Sequence, residues 1–408
     1  MNVRTTAKRQ RDGRIVEHLR HSTLAELLVC IMLALAMNSL ASSSVSAAES
    51  IEVTREVLLE SGRFPIPYAL AQTKDGGYVI AGSDQHIPWA TRTDAQGNVQ
   101  WRHVLPMKKW EPGDGEARYE GAATMADDST MLCGFKRVGE KSKPEIVGML
   151  TQIDTSGKVI GHRVLYPRGD EHFKLNYMHK CIRWGDIVIV IGESTRWLAP
   201  SYRDEHLSWL LAIDAKGNVK WERLLPGLDR QDALVVSNRE LVLSHAYLGE
   251  TRLTSINAAG EISSQRVIPG GGVLVYPSIS EPVIRLVSGD SKTTLRTLGE
   301  HLEDVKELSG KAGMINSEVI YSLPDGSLIM FGRQREDSTD TAAIARLNAN
   351  LDRGQTFFFQ PKWVSSIVGN ALPTGKPGEF ATIREVRRIP LWPDEKRVGL
   401  VLAFIRLK

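Results

Sequence analysis

The chain has 408 residues, with 51 Lys and Arg against 48 Asp and Glu. The basic surplus sits in the first 47 residues, whose six basic and three acidic side chains leave 45 of each in the remainder. A formally neutral remainder excludes a bulk electrostatic pull toward nucleic acid or anionic lipid.

Residues 1–47 read as a leader. Arg4, Lys8, Arg9, Arg11, Arg14 and Arg20 make a basic opening, Leu24 to Met37 an apolar run, and Ser42 to Ala48 a stretch of small residues suited to signal peptidase. The run is about 14 residues, short of the roughly 20 a spanning helix needs. Cys30 follows Val29, where a lipid-attachment motif wants a small residue, so it reads as part of the leader. The expectation is export to the periplasm, cleavage after Ala47 or Ala48, no membrane insertion afterwards, and one domain over 48–408.

"IEVTREVLL" at 51–59 is strand-like and has no partner nearby. "KDGGYVIAG" at 74–82 follows as a polar turn entering a short apolar strand, and the pattern returns as "ADDSTMLCG" at 126–134, "RWGDIVIVIG" at 183–192 and "LPDGSLIMFG" at 323–332. "DAQGNVQW" at 94–101 returns as "DTSGKVIG" at 154–161 and "DAKGNVKW" at 214–221, each copy 60 residues after the last. Apolar strands flank every copy, so the phrase predicts a hairpin turn with Gly97, Gly157 and Gly217 at positive φ, and Trp101 and Trp221 as packing residues.

Plainer copies continue to the end: 237–268, a weakly marked fifth at 276–308, a sixth at 321–359, and a seventh from Trp363 that stops where its last strand belongs. "VTREVL" near the start matches that missing strand, as "VQWRHVL" and "VIGHRVL" do in their own units. The fold class expected is all-β: a single propeller, seven four-stranded blades, closed by pairing the N-terminal strand with the last blade. Six or eight blades stay open, and closure removes exposed sheet edges. The D-G-G-Y and D-x-x-G-x-x-x-W phrases resemble the quinoprotein-like propeller superfamily, including its bacterial D-G-G-Y type. The resemblance concerns fold; the adjacent cysteines typical of its quinone pockets are missing.

No catalytic, cofactor or metal motif emerges. H-E-x-x-H, G-x-S-x-G and C-x-x-C are all lacking, "GNALPTGKP" misspaces a phosphate loop and puts Pro377 where a hydroxyl is needed, and "REDSTD" lacks the glycine of a calcium loop. The expectation is no cofactor and no metal. Cys133 and Cys181 lie in apolar runs of neighbouring units, as a disulfide or as two buried thiols.

Strand alternation sends the tight repeated turns to one face and the long stretches 106–121, 136–145, 167–177 and 195–207 to the other. Most belong to blades one to three, and long loops on a rigid scaffold are where binding residues sit. The candidate partner-binding residues are Trp110, Arg118, Tyr119, His172, Trp197, Tyr202, Asp204 and His206, with His172 and His206 each closing an Asp-Glu-His triplet. The leading expectation is a non-catalytic periplasmic protein binder, an immunity-type inhibitor of a secreted effector or an envelope assembly accessory. The alternatives are a periplasmic hydrolase or lyase acting on a glycan, marked by carboxylates and histidines converging on the long-loop face, and a small-ligand or sugar binder, marked by an aromatic pocket near the axis.

Overall fold

The computed structural model describes residues 50–408 apart from 63–64, 107–115, 140–144, 169–172, 199–202, 227–231, 238–239, 248–249, 270–271, 278–283, 289–292, 300, 311–315, 337–338, 360–364 and 388–397. The expected leader lies outside the described residues. Ile51–Lys408 forms one compact unit of strands and turns, and no helix among the described residues is long and apolar enough to cross a membrane.

After β1 (Ile51–Gly62), strands pair in consecutive antiparallel fours. The first unit is β2 (Pro65–Gln72), β3 (Tyr78–Asp84), β4 (Ile87–Thr93) and β5 (Val99–Val104). The second is β6 (Ala117–Thr124), β7 (Thr130–Val138), β8 (Glu145–Ile153) and β9 (Val159–Leu165). The third is β10 (Phe173–Trp184), β11 (Ile187–Leu198), β12 (Arg203–Asp214) and β13 (Val219–Pro226). The fourth is β14 (Asp232–Ser237), β15 (Glu240–Tyr247), β16 (Glu250–Asn257) and β17 (Ile262–Pro269). The weakly marked fifth is present as β18 (Val273–Pro277), β19 (Ile284–Ser288), β20 (Thr294–Leu298) and β21 (Asp304–Ser309). The sixth is β22 (Asn316–Ser322), β23 (Leu328–Glu336), β24 (Thr339–Leu347) and β25 (Arg353–Phe358). The last three strands, β26 (Ser365–Pro373), β27 (Glu379–Arg387) and β28 (Val398–Leu407), take β1 as their fourth, in a register running from Ile51↔Leu407 to Gly62↔Val398.

First strands touch in order, β2 to β6, β10, β14, β18, β22 and β26, and β26 touches β2 again. Each boundary between neighbouring units has its own apolar core. Val79 and Trp101 meet Leu132 and Met149 between units one and two, and Leu70, Ile80 and Trp89 meet Ile383, Leu402 and Phe404 where the last unit meets the first. Middle strands are therefore buried on both faces, as in β3, while fourth strands such as β5 are mostly exposed. The architecture is that of a β-propeller.

The repeated phrases have separate structural causes. In "DAQGNVQW" the Asp94 carboxylate accepts from the backbone N–H of Gln96 and Asn98 at 2.9 and 2.8 Å, closing a turn in which Gly97 has φ +86°. Asp154, Asp214 and Asn257 repeat it. The same turn also caps the previous unit: a Cβ built on Gly157 would stand 2.8 Å from Trp101 Cγ, and one on Gly260 would stand 2.5 Å from Trp221. Fourth-strand side chains add hydrogen bonds across some boundaries, Arg163 to the Gly217 carbonyl at 2.8 Å and Trp221 Nε1 to that of Ala258 at 3.1 Å. In units five and six, behind which no aromatic projects from the neighbouring fourth strand, leucine replaces the glycine: Leu302 and Leu351 keep φ at 65° and 62° and are fully buried.

Candidate functional face

The glycine ending the second repeated phrase marks a bulge in the strand beside it. Gly82, Gly134 and Gly192 pair with Pro67, Tyr119 and Met178, and one residue later the register of β2, β6 and β10 slips. A Cβ on Gly134 would lie 1.9 Å from the Arg118 carbonyl, so only glycine admits the bulge. The slipped residues are Tyr68, Glu120 and His179, at one level of three adjacent first strands.

They seed an ionic cluster. Glu120 forms an ion pair with Arg118 Nε through one oxygen and a hydrogen bond with His179 Nδ1 through the other. His179 Nε2 lies 3.7 Å from Glu193 of β11, and the imidazole stacks on Tyr177 with centroids 5.8 Å apart. The Arg118 guanidinium lies over Phe135 at 4.6 Å and Tyr68 at 5.1 Å, and Arg118 also donates to the Tyr68 hydroxyl at 3.3 Å. Burial alone would lower the His179 pKa, but the two carboxylates outweigh it and hold it at about 9. The Glu193 carboxyl is correspondingly lowered, chiefly by its hydrogen bond to His179 and despite its burial. At neutral pH the ring is an imidazolium between two carboxylates, a charge-paired lock and not a free base. Nothing in the linear sequence groups these residues; the bulge does.

Beneath the cluster, Cys133 of β7 and Cys181 of β10 form a disulfide with Cα atoms 6.4 Å apart. Gly121 leaves the space: a Cβ there would stand 2.5 Å from Cys133 Sγ. The inner strands enclose an axial channel of about 730 Å³.

Of the expected partner-binding residues, Trp110, His172 and Tyr202 lie outside the described residues. Arg118 belongs to the ionic cluster. Tyr119 is a correction: it is fully buried and donates to Thr151 Oγ1 at 2.9 Å, because its place before the bulge turns it into the core shared with the first unit and away from solvent. The stretch 195–207 is also corrected. Most of it is strand: β11 runs six residues past Gly192, against two past Gly82 in β3, which extends the hairpin by about 13 Å. Trp197 pairs in register with Asp204 and Thr195 with His206, so His206 stands in a strand instead of a loop. Arg196–Glu205 and Thr195 Oγ1···His206 Nδ1 at 3.2 Å brace the hairpin across its strands. The first Asp-Glu-His triplet lies outside the described residues, which contain no group of three or more His, Cys, Asp and Glu placed to hold a metal ion.

No family model matches the chain, and no curated protein matches it. Similar solved structures include the Dos1 propeller, at 11% identity over 83% of this chain and 78% of that chain with a TM-score of 0.45. Sqt1 from Chaetomium thermophilum is similar at 9% identity over 85% of this chain and 98% of that one, with a TM-score of 0.41. A protein of unknown function from Bacteroides caccae is similar at 10% identity over 73% and 83%, with a TM-score of 0.35. At such scores these likenesses carry no argument about what the chain does.

Proposed function

We propose that the chain is a seven-bladed, ring-closed β-propeller that works in the periplasm as a non-catalytic protein binder, gripping its partner with the long-loop face of units one to three. The observation that carries this reading is the β11–β12 hairpin. It is a braced two-stranded arm rising past its counterparts, with position 197, a tryptophan, near its end, and tryptophan on a rigid element is the residue type enriched in protein-binding hot spots. The leader-like residues 1–47 support export. Inhibition of a secreted effector and assistance in envelope assembly both use such a face. Cross-linking of tagged protein in its own cell envelope, read by mass spectrometry, tests the proposal. A stoichiometric partner linked through residues 195–207 supports it, and no partner with folded, abundant protein overturns it.

A second reading, a glycan hydrolase or lyase, has one observation in its favour: Glu120, His179 and Glu193 converge. The pairing works against it, because both Glu120 oxygens are engaged by cations and the histidine is protonated at neutral pH. Turnover of envelope glycans that is lost in Glu193→Gln would establish this reading in place of the first.

A further inference from the structure

The axial channel has a chemistry of its own, separate from the partner-binding face. Its wall is built by first strands of small and apolar side chains: Ala69 and Ala71 of β2, Ala122 of β6, Val319 and Tyr321 of β22, and Leu372 of β26. At about 730 Å³ it falls within the roughly 300–1,000 Å³ of small-molecule sites. Its charge is asymmetric. Three basic side chains, Lys74, Lys180 and Arg183, lie along the described lining against the single carboxylate of Glu120, and that carboxylate is already answered within the wall by Arg118 and His179.

The basic groups are ordered along the axis. Lys180, in the inner half of β10, reaches past the fourth unit to the fifth, where its Nζ donates to the Tyr276 hydroxyl at 2.5 Å and lies 5.0 Å from the ring centroid. Arg183 stands one residue before the end of β10, on the turn side, with Nε on the Gly185 carbonyl at 3.1 Å. Lys74 occupies the turn after β2 at the same mouth. Ala71, Tyr321 and Leu372 stand level with Arg183, one residue before the ends of their strands, so a ligand entering from the turn side meets cationic and apolar groups together.

We propose that this channel binds an amphipathic organic anion, its acidic head held by Lys180, Arg183 and the Tyr276 hydroxyl, and its hydrocarbon or aromatic body lying against the alanine, valine and tyrosine wall. A carboxylate and a phosphate monoester share the chemistry of the head. Hydrogen bonds from charged donors favour either one, and a neutral head of the same size forgoes that gain.

Calorimetric titration of the purified protein tests this with four probes: dodecanoate, dodecyl phosphate, 1-dodecanol and inorganic phosphate. The expected result is saturable one-to-one binding of at least one acidic amphiphile, about tenfold or more tighter than dodecanol. Whichever acid binds better identifies the head. Lys180→Met and Arg183→Gln should each weaken the acid toward the level of the alcohol, and Ala122→Leu, which narrows the channel, should weaken all the amphiphiles. Arg183 is exposed, so its variant carries the test should either of the others fail to fold. Dodecanol binding as tightly as the acids, inorganic phosphate binding as tightly as dodecyl phosphate, acid binding undiminished in the Arg183 variant, or no saturable binding would overturn the proposal.

Discussion

Trp101 of the first unit lies over Gly157 of the second, so close that a Cβ on the glycine would stand 2.8 Å from the indole Cγ. One residue thus meets two demands, a backbone at φ +91° and an open seat for a neighbour's side chain. Gly157→Ala should cost about 3 kcal/mol, combining left-handed strain with overpacking. Trp101→Ala should recover part of that loss in the double variant, giving a non-additive cycle in urea unfolding. Strict additivity would mean that the two residues are not coupled.

The two histidines with the largest shifts should bend the pH profile of stability in opposite directions. His179 titrates at about 9 in the fold against an ordinary 6.5, so its contribution is whole below about pH 6.5 and disappears as pH rises to about 9. His245 is buried, and burial lowers it to about 4, so the unfolded chain takes up its proton first and stability falls as pH drops from about 6.5 toward 4. Thermal unfolding across pH should show both limbs. His179→Gln should flatten the alkaline one and His245→Leu the acid one; unchanged limbs would remove the assignment.

Non-reducing mass spectrometry should find Cys133 linked to Cys181, and alkylation of native protein should label neither. The pair closes a separation of 48 residues, so by loop entropy its reduction should cost about 4 kcal/mol. Free thiols in protein recovered from an oxidising compartment would contradict the pairing.

Trp197→Ala should abolish capture of the proposed partner while moving Tm by no more than a few degrees, since position 197 falls five residues past Gly192, in the extension of β11 that β3 lacks. Retained affinity would transfer the binding role to another part of the face.

The repeats were readable because turn chemistry is local: Asp94, Asp154 and Asp214 declare their turns within five residues, and the pairing of β1 with the last unit follows from the likeness of "VTREVL" to the other fourth strands. The ionic cluster was less readable. Glu120, His179 and Glu193 belong to three separate strands, and they meet because bulges beside Gly134 and Gly192 rotate two of them to one level. The signal was in the sequence as the recurring glycine, whose meaning depends on the strand opposite. Tyr119 shows the converse: an aromatic beside Arg118 looks like surface until the bulge sends consecutive side chains to different places. The 195–207 stretch looked like a loop because its length exceeds that of its counterparts, yet cross-strand pairs continue through most of it.

The pairing of β1 with β28 also orders events in time. Thr54 hydrogen-bonds to the Phe404 carbonyl 350 residues away, so the last unit stays one strand short until the C-terminal strand is made. Closing so long a loop is slow, and the six units between can condense on their local hairpins well before it. The last unit therefore has a latch, and the latch is the last part to fold. The pairing stays open until β28 has been made, and a tag or fusion that holds back the first strand should leave the last unit with a sheet edge ready to pair with another copy.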